Sequence, residues 1–171
     1  MAKALLPLVL TAALFLSCGG QSAFFRRTDR ATIARVDGFD DELARIAENA
    51  RATLDVFFRH LNMPAAGEGN FFVKYAFRVE GEADGVVAEH VWIGGIVFRN
   101  GRYYGVVSSA PVYLTRIRRG SRVNFHAGAI TDWMFTRDGK IVGGHSIRRL
   151  LERIPEGERT VGQRETLQMF E

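Results

Sequence analysis

Four ionisable side chains stand where chemistry could be done: Glu89 and His90 on a β-type run, Asp132 beside Trp133, and His145 just ahead of a helical pattern. Histidine titrates near neutral pH and readily ligates metals, and a carboxylate can take or give a proton when its surroundings adjust it. Gathered at one sheet face, Glu89, His90, Asp132 and His145 would make an acid/base or metal-dependent site of hydrolase type, with His126 and Arg148 as outer members. The spacing does not impose such a site. There is no His-x-His, no His-Glu-x-x-His and no tight carboxylate cluster, so no metal geometry is set locally and no cofactor is assigned. Ser108, Ser109 and Ser121 lack the context of a nucleophile elbow. The competing expectation is architectural: His90 and Asp132 hydrogen-bond each other or nearby backbone, and Trp92 and Trp133 fill the core.

The elements that must position these residues begin with Glu89 to Phe98, the longest β-type run. It ends at Asn100-Gly101, a strong signal for a two-residue hairpin turn, which needs φ > 0 at both positions. Alternation puts Glu89, Val91 and Ile93 on one face, with His90 and Trp92 on the other. Gly94-Gly95 is either a bulge that lets the strand coil or a place where a ligand approaches the backbone. Before this run, Asp40 is expected to cap a helix whose apolar stripe is Leu43, Ile46, Ala47, Ala50, Leu54, Phe57 and Leu61. Phe71 to Val79 then alternates as a half-buried strand, with Phe72, Lys74, Ala76 and Arg78 on its second side.

After the hairpin, Tyr103 to Ser108 returns antiparallel, and short strands are expected at Val112–Ile117, Val123–His126, Ile130–Phe135 and Ile141–Gly144. Asp138-Gly139 marks a second tight hairpin. Ser146 is expected to cap a last helix carrying Ile147, Leu150, Leu151 and Ile154, which Pro155 stops. Gly143-Gly144 ahead of it is either an anion site at a helix N-terminus or a plain strand-to-helix connection. Residues 156–171 read as a polar tail or weak helix. The fold class is therefore α+β: an antiparallel sheet of about five to seven strands packed with an N-terminal and a C-terminal amphipathic helix.

Residues 1–18 read differently. Lys3 precedes an uncharged run from Ala4 to Leu16, then Ser17 and Cys18, which is the pattern of a secretory signal peptide. The run falls short of the ~20 apolar residues a spanning helix needs, and Pro7 interrupts it. Cys18 resembles the lipidated cysteine of a bacterial lipoprotein, although Phe15 stands where that signal usually has leucine. The resemblance implies removal of residues 1–17 and a diacylglyceryl thioether on Cys18; residues 19–38 themselves read as a tether and basic lead-in, with a short strand at Thr32–Val36. As the only cysteine, Cys18 allows no internal disulfide.

The chain of 171 residues suits one domain with a leader and tail, here 39–155 and 156–171. Its net charge of +4 comes mostly from scattered arginines, lysine occurring only at Lys3, Lys74 and Lys140. That excess gives weak attraction to anionic surfaces, not the dense basic face of a nucleic-acid binder.

Ala50 to Leu54, Glu89 to Trp92, Asn100-Gly101 to Tyr104-Gly105, Pro111, Gly120 to Val123, Ile130 to Met134, Asp138 to Lys140 and Val142 to Gly144 together resemble a bacterial family catalogued as domain of unknown function 2314. The resemblance runs from about Asp40 to Pro155 and implies the α+β fold. It carries no assigned activity, and many members look exported. The expectation is thus an exported, lipid-anchored binding or interaction module of the cell envelope, soluble in the periplasm or secreted if Cys18 is not acylated. Its partner would meet a surface of Trp92, Tyr103, Tyr104 and Trp133.

Overall fold

The computed structural model describes residues 39–80 and 88–171, with side chains from residue 41 onward. The leader, Cys18 and the expected strand at Thr32–Val36 lie outside these residues. Helix α1 (Phe39–Ala52) begins one residue before the expected cap and is followed by α2 (Leu54–Asn62). The single long helix of the sequence pattern is thus two. Thr53 separates them, its hydroxyl donating back to the carbonyls of Asn49 and Ala50, a back-bond that bends helices. The Trp133 indole N–H donates into the same break, 3.1 Å from the Ala50 carbonyl.

The strands are β1 (Glu68–Arg78), β2 (Ala88–Arg99), β3 (Arg102–Val107), β4 (Arg122–Phe125), β5 (Ile130–Arg137) and β6 (Lys140–Gly143). They form one antiparallel sheet in the order β4-β3-β2-β1-β5-β6. Both tight hairpins form as the turn chemistry requires: Asn100 and Gly101 have φ of 49° and 75°, Asp138 and Gly139 of 47° and 79°. Gly95 has φ +58° and sits where the β2–β3 register shifts, so Gly94-Gly95 is the site of a bulge.

The sheet is covered on both faces. On the first, Ala50, Leu54 and Phe57 of α1 and α2 pack on Val73, Tyr75, Ile93, Ile130, Trp133 and Phe135. On the second, Phe72, Trp92, Met134 and Ile141 lie under α3 (His145–Arg153), through Ile147 and Leu151, and α4 (Val161–Gln168), through Leu167. A bulge at Thr131 switches the parity of β5, so Ile130 and Trp133 face the first layer while Asp132 faces the second.

One expected strand is absent. Val112–Ile117 is not a strand. The backbone N–H groups of Val112, Tyr113 and Leu114 all donate to the Glu89 carboxylate, which takes them from a ladder. Of the two readings of residues 156–171, polar tail or weak helix, the helix forms: Thr160 and Gln163 make a capping box that starts α4. Beyond it, Ile141 donates to the Met169 carbonyl and accepts from the Glu171 N–H, so the chain end covers the β6 edge. Arg159 meanwhile donates to the carbonyls of Leu151, Glu152 and Ile154, satisfying the C-terminus of α3.

Candidate functional site

Lys74 lies at the centre of the second sheet face, paired in register with Trp92 of β2 on one side and Asp132 of β5 on the other. Its ammonium sits 5.8 Å from the centre of the Trp92 ring and donates to the Ser146 hydroxyl at 3.2 Å. Ser146 in turn donates to Asp132 Oδ2 through its hydroxyl at 2.6 Å and its backbone N–H at 2.7 Å. The second oxygen of Asp132 accepts from the Trp133 N–H at 2.8 Å. Asp132 is wholly buried, and both its carboxylate oxygens accept hydrogen bonds within the fold.

The local chain explains the arrangement. Gly143 and Gly144 both have positive φ, and a Cβ at Gly143 would come within 2.4 Å of the Trp133 carbonyl. Glycine is therefore required for the tight connection that swings α3 back over β5. The helix starts at His145, with Gly144 as its cap, so Ser146 is its second residue and not the expected N-cap. The cap function comes from a strand: Asp132 accepts the orphan N–H of Ser146. The anion that an exposed helix N-terminus would attract is supplied by the chain itself.

Burial among Trp92, Ser146 and the strands pushes the Lys74 amine below its ordinary range, and Asp132 partly offsets this. His90 makes its hydrogen bond to the Thr131 hydroxyl at 2.9 Å, and Thr131 donates on to the Lys74 carbonyl. Although the residue as a whole is exposed, crowding of its imidazole pushes the pKa down to about 4, with repulsion from the Lys74 ammonium adding to this. A cation beside a cation resists protonation. The chain Lys74–Ser146–Asp132 could relay a proton, but its hydrogen bonds run within the fold, from Lys74 to Ser146 and from Ser146 to Asp132.

The sequence candidates separate. His90 and Asp132 share a neighbourhood around Lys74 without bonding each other; each takes its own partner. His145 is adjacent to Ser146 but exposed, its ring edge-on to Trp133 at 5.9 Å. Glu89 points to the opposite face, where it holds the loop at 112–114. His126 lies edge-on to Tyr75, and Arg148 pairs with Glu152 and covers Phe170. Of the four aromatics expected to share a surface, Trp92 and Trp133 are buried on opposite faces, and Tyr103 stacks between Phe58 and Phe125. Tyr104 alone is exposed. Among the described residues no group of three or more His, Cys, Asp or Glu could hold a metal ion.

Lys74 and Ser146 escaped the sequence reading. The available signal was a lysine at an alternate position of a strand between Phe72 and Ala76, in a chain with only two other lysines. A second polar centre was also missed. The Glu68 carboxylate accepts from the Ala65 N–H, from Arg137 and from His60, each at 3.0 Å, tying α2 to β1 and β5. The Ala65 N–H above all, then Arg137 and His60, holds its pKa below the ordinary value against the opposing effect of burial.

Outside the covered region, β2, β3 and β4 turn the same second face to solvent. Register places Val97, Arg99, Arg102, Tyr104, Val106, Arg122 and Asn124 together there. Val97, Tyr104 and Val106 are 45%, 38% and 38% exposed.

Comparison with known proteins adds a family. The model of an uncharacterised protein conserved in bacteria (DUF2314) matches residues 40–166. The chain belongs to that family. A putative ankyrin repeat protein of Neisseria meningitidis serogroup B is 34% identical over 134 residues, which is 76% of this chain and 53% of that protein. The chain thus spans about half the length of that relative. The uncharacterised protein YegJ of Escherichia coli K12 is 31% identical over 122 residues, 71% of this chain and 75% of that protein. No solved structure matches. The matched span includes Lys74, Asp132 and Ser146 and reaches into α4.

Proposed function

We propose that this DUF2314 domain is a non-catalytic binding module, exported and held at the cell envelope by a lipid on Cys18, and that it meets its partner through the open half of the second sheet face. The observation that carries the reading is the contrast on that face. The polar groups best suited to chemistry, Lys74, Ser146 and Asp132, are bonded to one another, whereas Val97, Tyr104 and Val106 stand exposed on two neighbouring strands. Monomeric proteins seldom leave apolar side chains grouped on a flat sheet unless something binds there.

Export and acylation rest on the leader pattern around Cys18. Two measurements test the proposal. Mass spectrometry of the protein taken from its own membranes is expected to show loss of residues 1–17 and an acyl-modified Cys18; an intact leader on a cytosolic protein refutes the localisation. A photo-crosslinking residue at position 104 is expected to form adducts in intact cells, and one at Gln163 to form none. Absence of adducts at both positions refutes the binding face.

A further inference from the structure

Resting on that reading, we infer that the partner of the open sheet face is an anionic lipid surface. The face has a patterned chemistry. Tyr104 and Val97 are register partners at its centre, with Val106 two residues further along β3. Arg99 and Arg102 close the hairpin end as a directly opposed pair, and Arg122 stands opposite Val106 on the next strand. Each of these positions alternates onto the same side as Tyr104. The face contains no acidic residue, and among the described residues no carboxylate pairs with Arg99, Arg102 or Arg122.

Two like charges directly across an antiparallel pair cost stability, and an anion from outside the sheet would relieve the repulsion between Arg99 and Arg102. An apolar centre with guanidinium groups at both ends suits the headgroup layer, because arginine stems lie along apolar surface while their heads reach phosphate. Basic side chains near an anionic leaflet each strengthen binding appreciably.

Other occupants fit less well. A second copy of the chain would bring arginines against arginines. Single-stranded nucleic acid uses successive aromatic platforms, but Tyr104 is the only ring on this face; Val97 and Val106 have no π surface on which a base could stack.

The test uses the full-length chain and sedimentation with vesicles of phosphatidylethanolamine and phosphatidylglycerol, with pure phosphatidylcholine as the neutral arm. Arg99→Glu/Arg102→Glu is compared with Arg45→Glu/Arg51→Glu, a matched charge change on the exposed side of α1. Because all variants keep the leader, its contribution is common to them. The hairpin pair is expected to lose binding to anionic vesicles by about tenfold or more, the α1 pair by less than about twofold. Binding should weaken as salt rises and be far lower on phosphatidylcholine. A circular dichroism melt that matches wild type shows that the hairpin variant is folded.

Equal loss in both variants, equal binding to the two vesicle types, or no vesicle binding overturns the inference. So does displacement of vesicles by a single-stranded oligonucleotide whose binding depends on the same arginines. Adducts from position 104 that contain a protein and no lipid would leave the binding module standing and remove the membrane as its partner.

Discussion

Across β1 and β5, the sheet face beneath α3 carries opposite charges at adjacent register positions, Lys74 and Asp132, and Ser146 closes the gap between them. Across β2 and β3, the same face carries like charges at directly opposed positions, Arg99 and Arg102, with no partner on the sheet. One sheet thus has a face that is solved internally at one end and left unsolved at the other. Burial explains the difference. A charge taken out of water must be paired within the fold, and α3 cannot dock on β5 unless Asp132 and Lys74 are both satisfied. A charge left in water carries no such requirement, so the arrangement at Arg99 and Arg102 is free to answer an external partner.

The largest effect that would break this comparison comes from Asp132→Ala. It leaves the Lys74 ammonium buried without its counter-charge and removes the acceptor for Ser146, and it is expected to cost about 3–5 kcal/mol in urea unfolding. A loss below about 1 kcal/mol would mean that the covered half does not depend on the Lys74–Ser146–Asp132 link. Gly143→Ala comes next. Its φ of +79° and the contact of a new Cβ with the Trp133 carbonyl are expected to cost about 1–3 kcal/mol, measured as a lowered Tm.

A pH effect sharpens the picture at His90. Its pKa is lowered to about 4 from an ordinary value of 6.5, so between these values the unfolded chain binds more protons than the folded one. The His90 contribution to stability is expected to fall as pH drops from 6.5 towards 4 and to level off below that. His90→Asn should flatten this part of the profile, and NMR titration of the imidazole should give a midpoint near 4. A midpoint at 6 or above would show that neither crowding of the imidazole nor the Lys74 charge acts on it. The smallest effect belongs to the open half: Arg102→Glu is expected to raise stability by roughly 0.2–1 kcal/mol by replacing a like-charge pair with an attractive one. In the same denaturation assay Tyr104→Ser should change stability by no more than about 0.5 kcal/mol. A large loss from either would show that this face is structural.

Much of the sheet was legible in the chain because its turns are written in local chemistry. Asn100-Gly101 and Asp138-Gly139 need positive φ, and both pairs adopt it. The expected strand at 112–117 failed for a non-local reason: a carboxylate from β2, Glu89, takes the donors that its ladder would have used. The break at Thr53 is of the same kind, since an indole from β5 enters a helix whose apolar stripe runs unbroken. The candidate site was half legible. His90 and Asp132 were visible as polar residues on strands, but Lys74 lay on what alternation alone read as the polar side of its strand.

By itself the sequence determined the turns, the strand periods, the two apolar helix stripes and the glycines at 143 and 144, because each depends on residues within a few positions of one another. Only the tertiary structure decided that α3 covers Lys74 and leaves Tyr104 bare. That outcome depends on burial, which converts a lysine and an aspartate 58 positions apart into a required pair and is a property of no local segment.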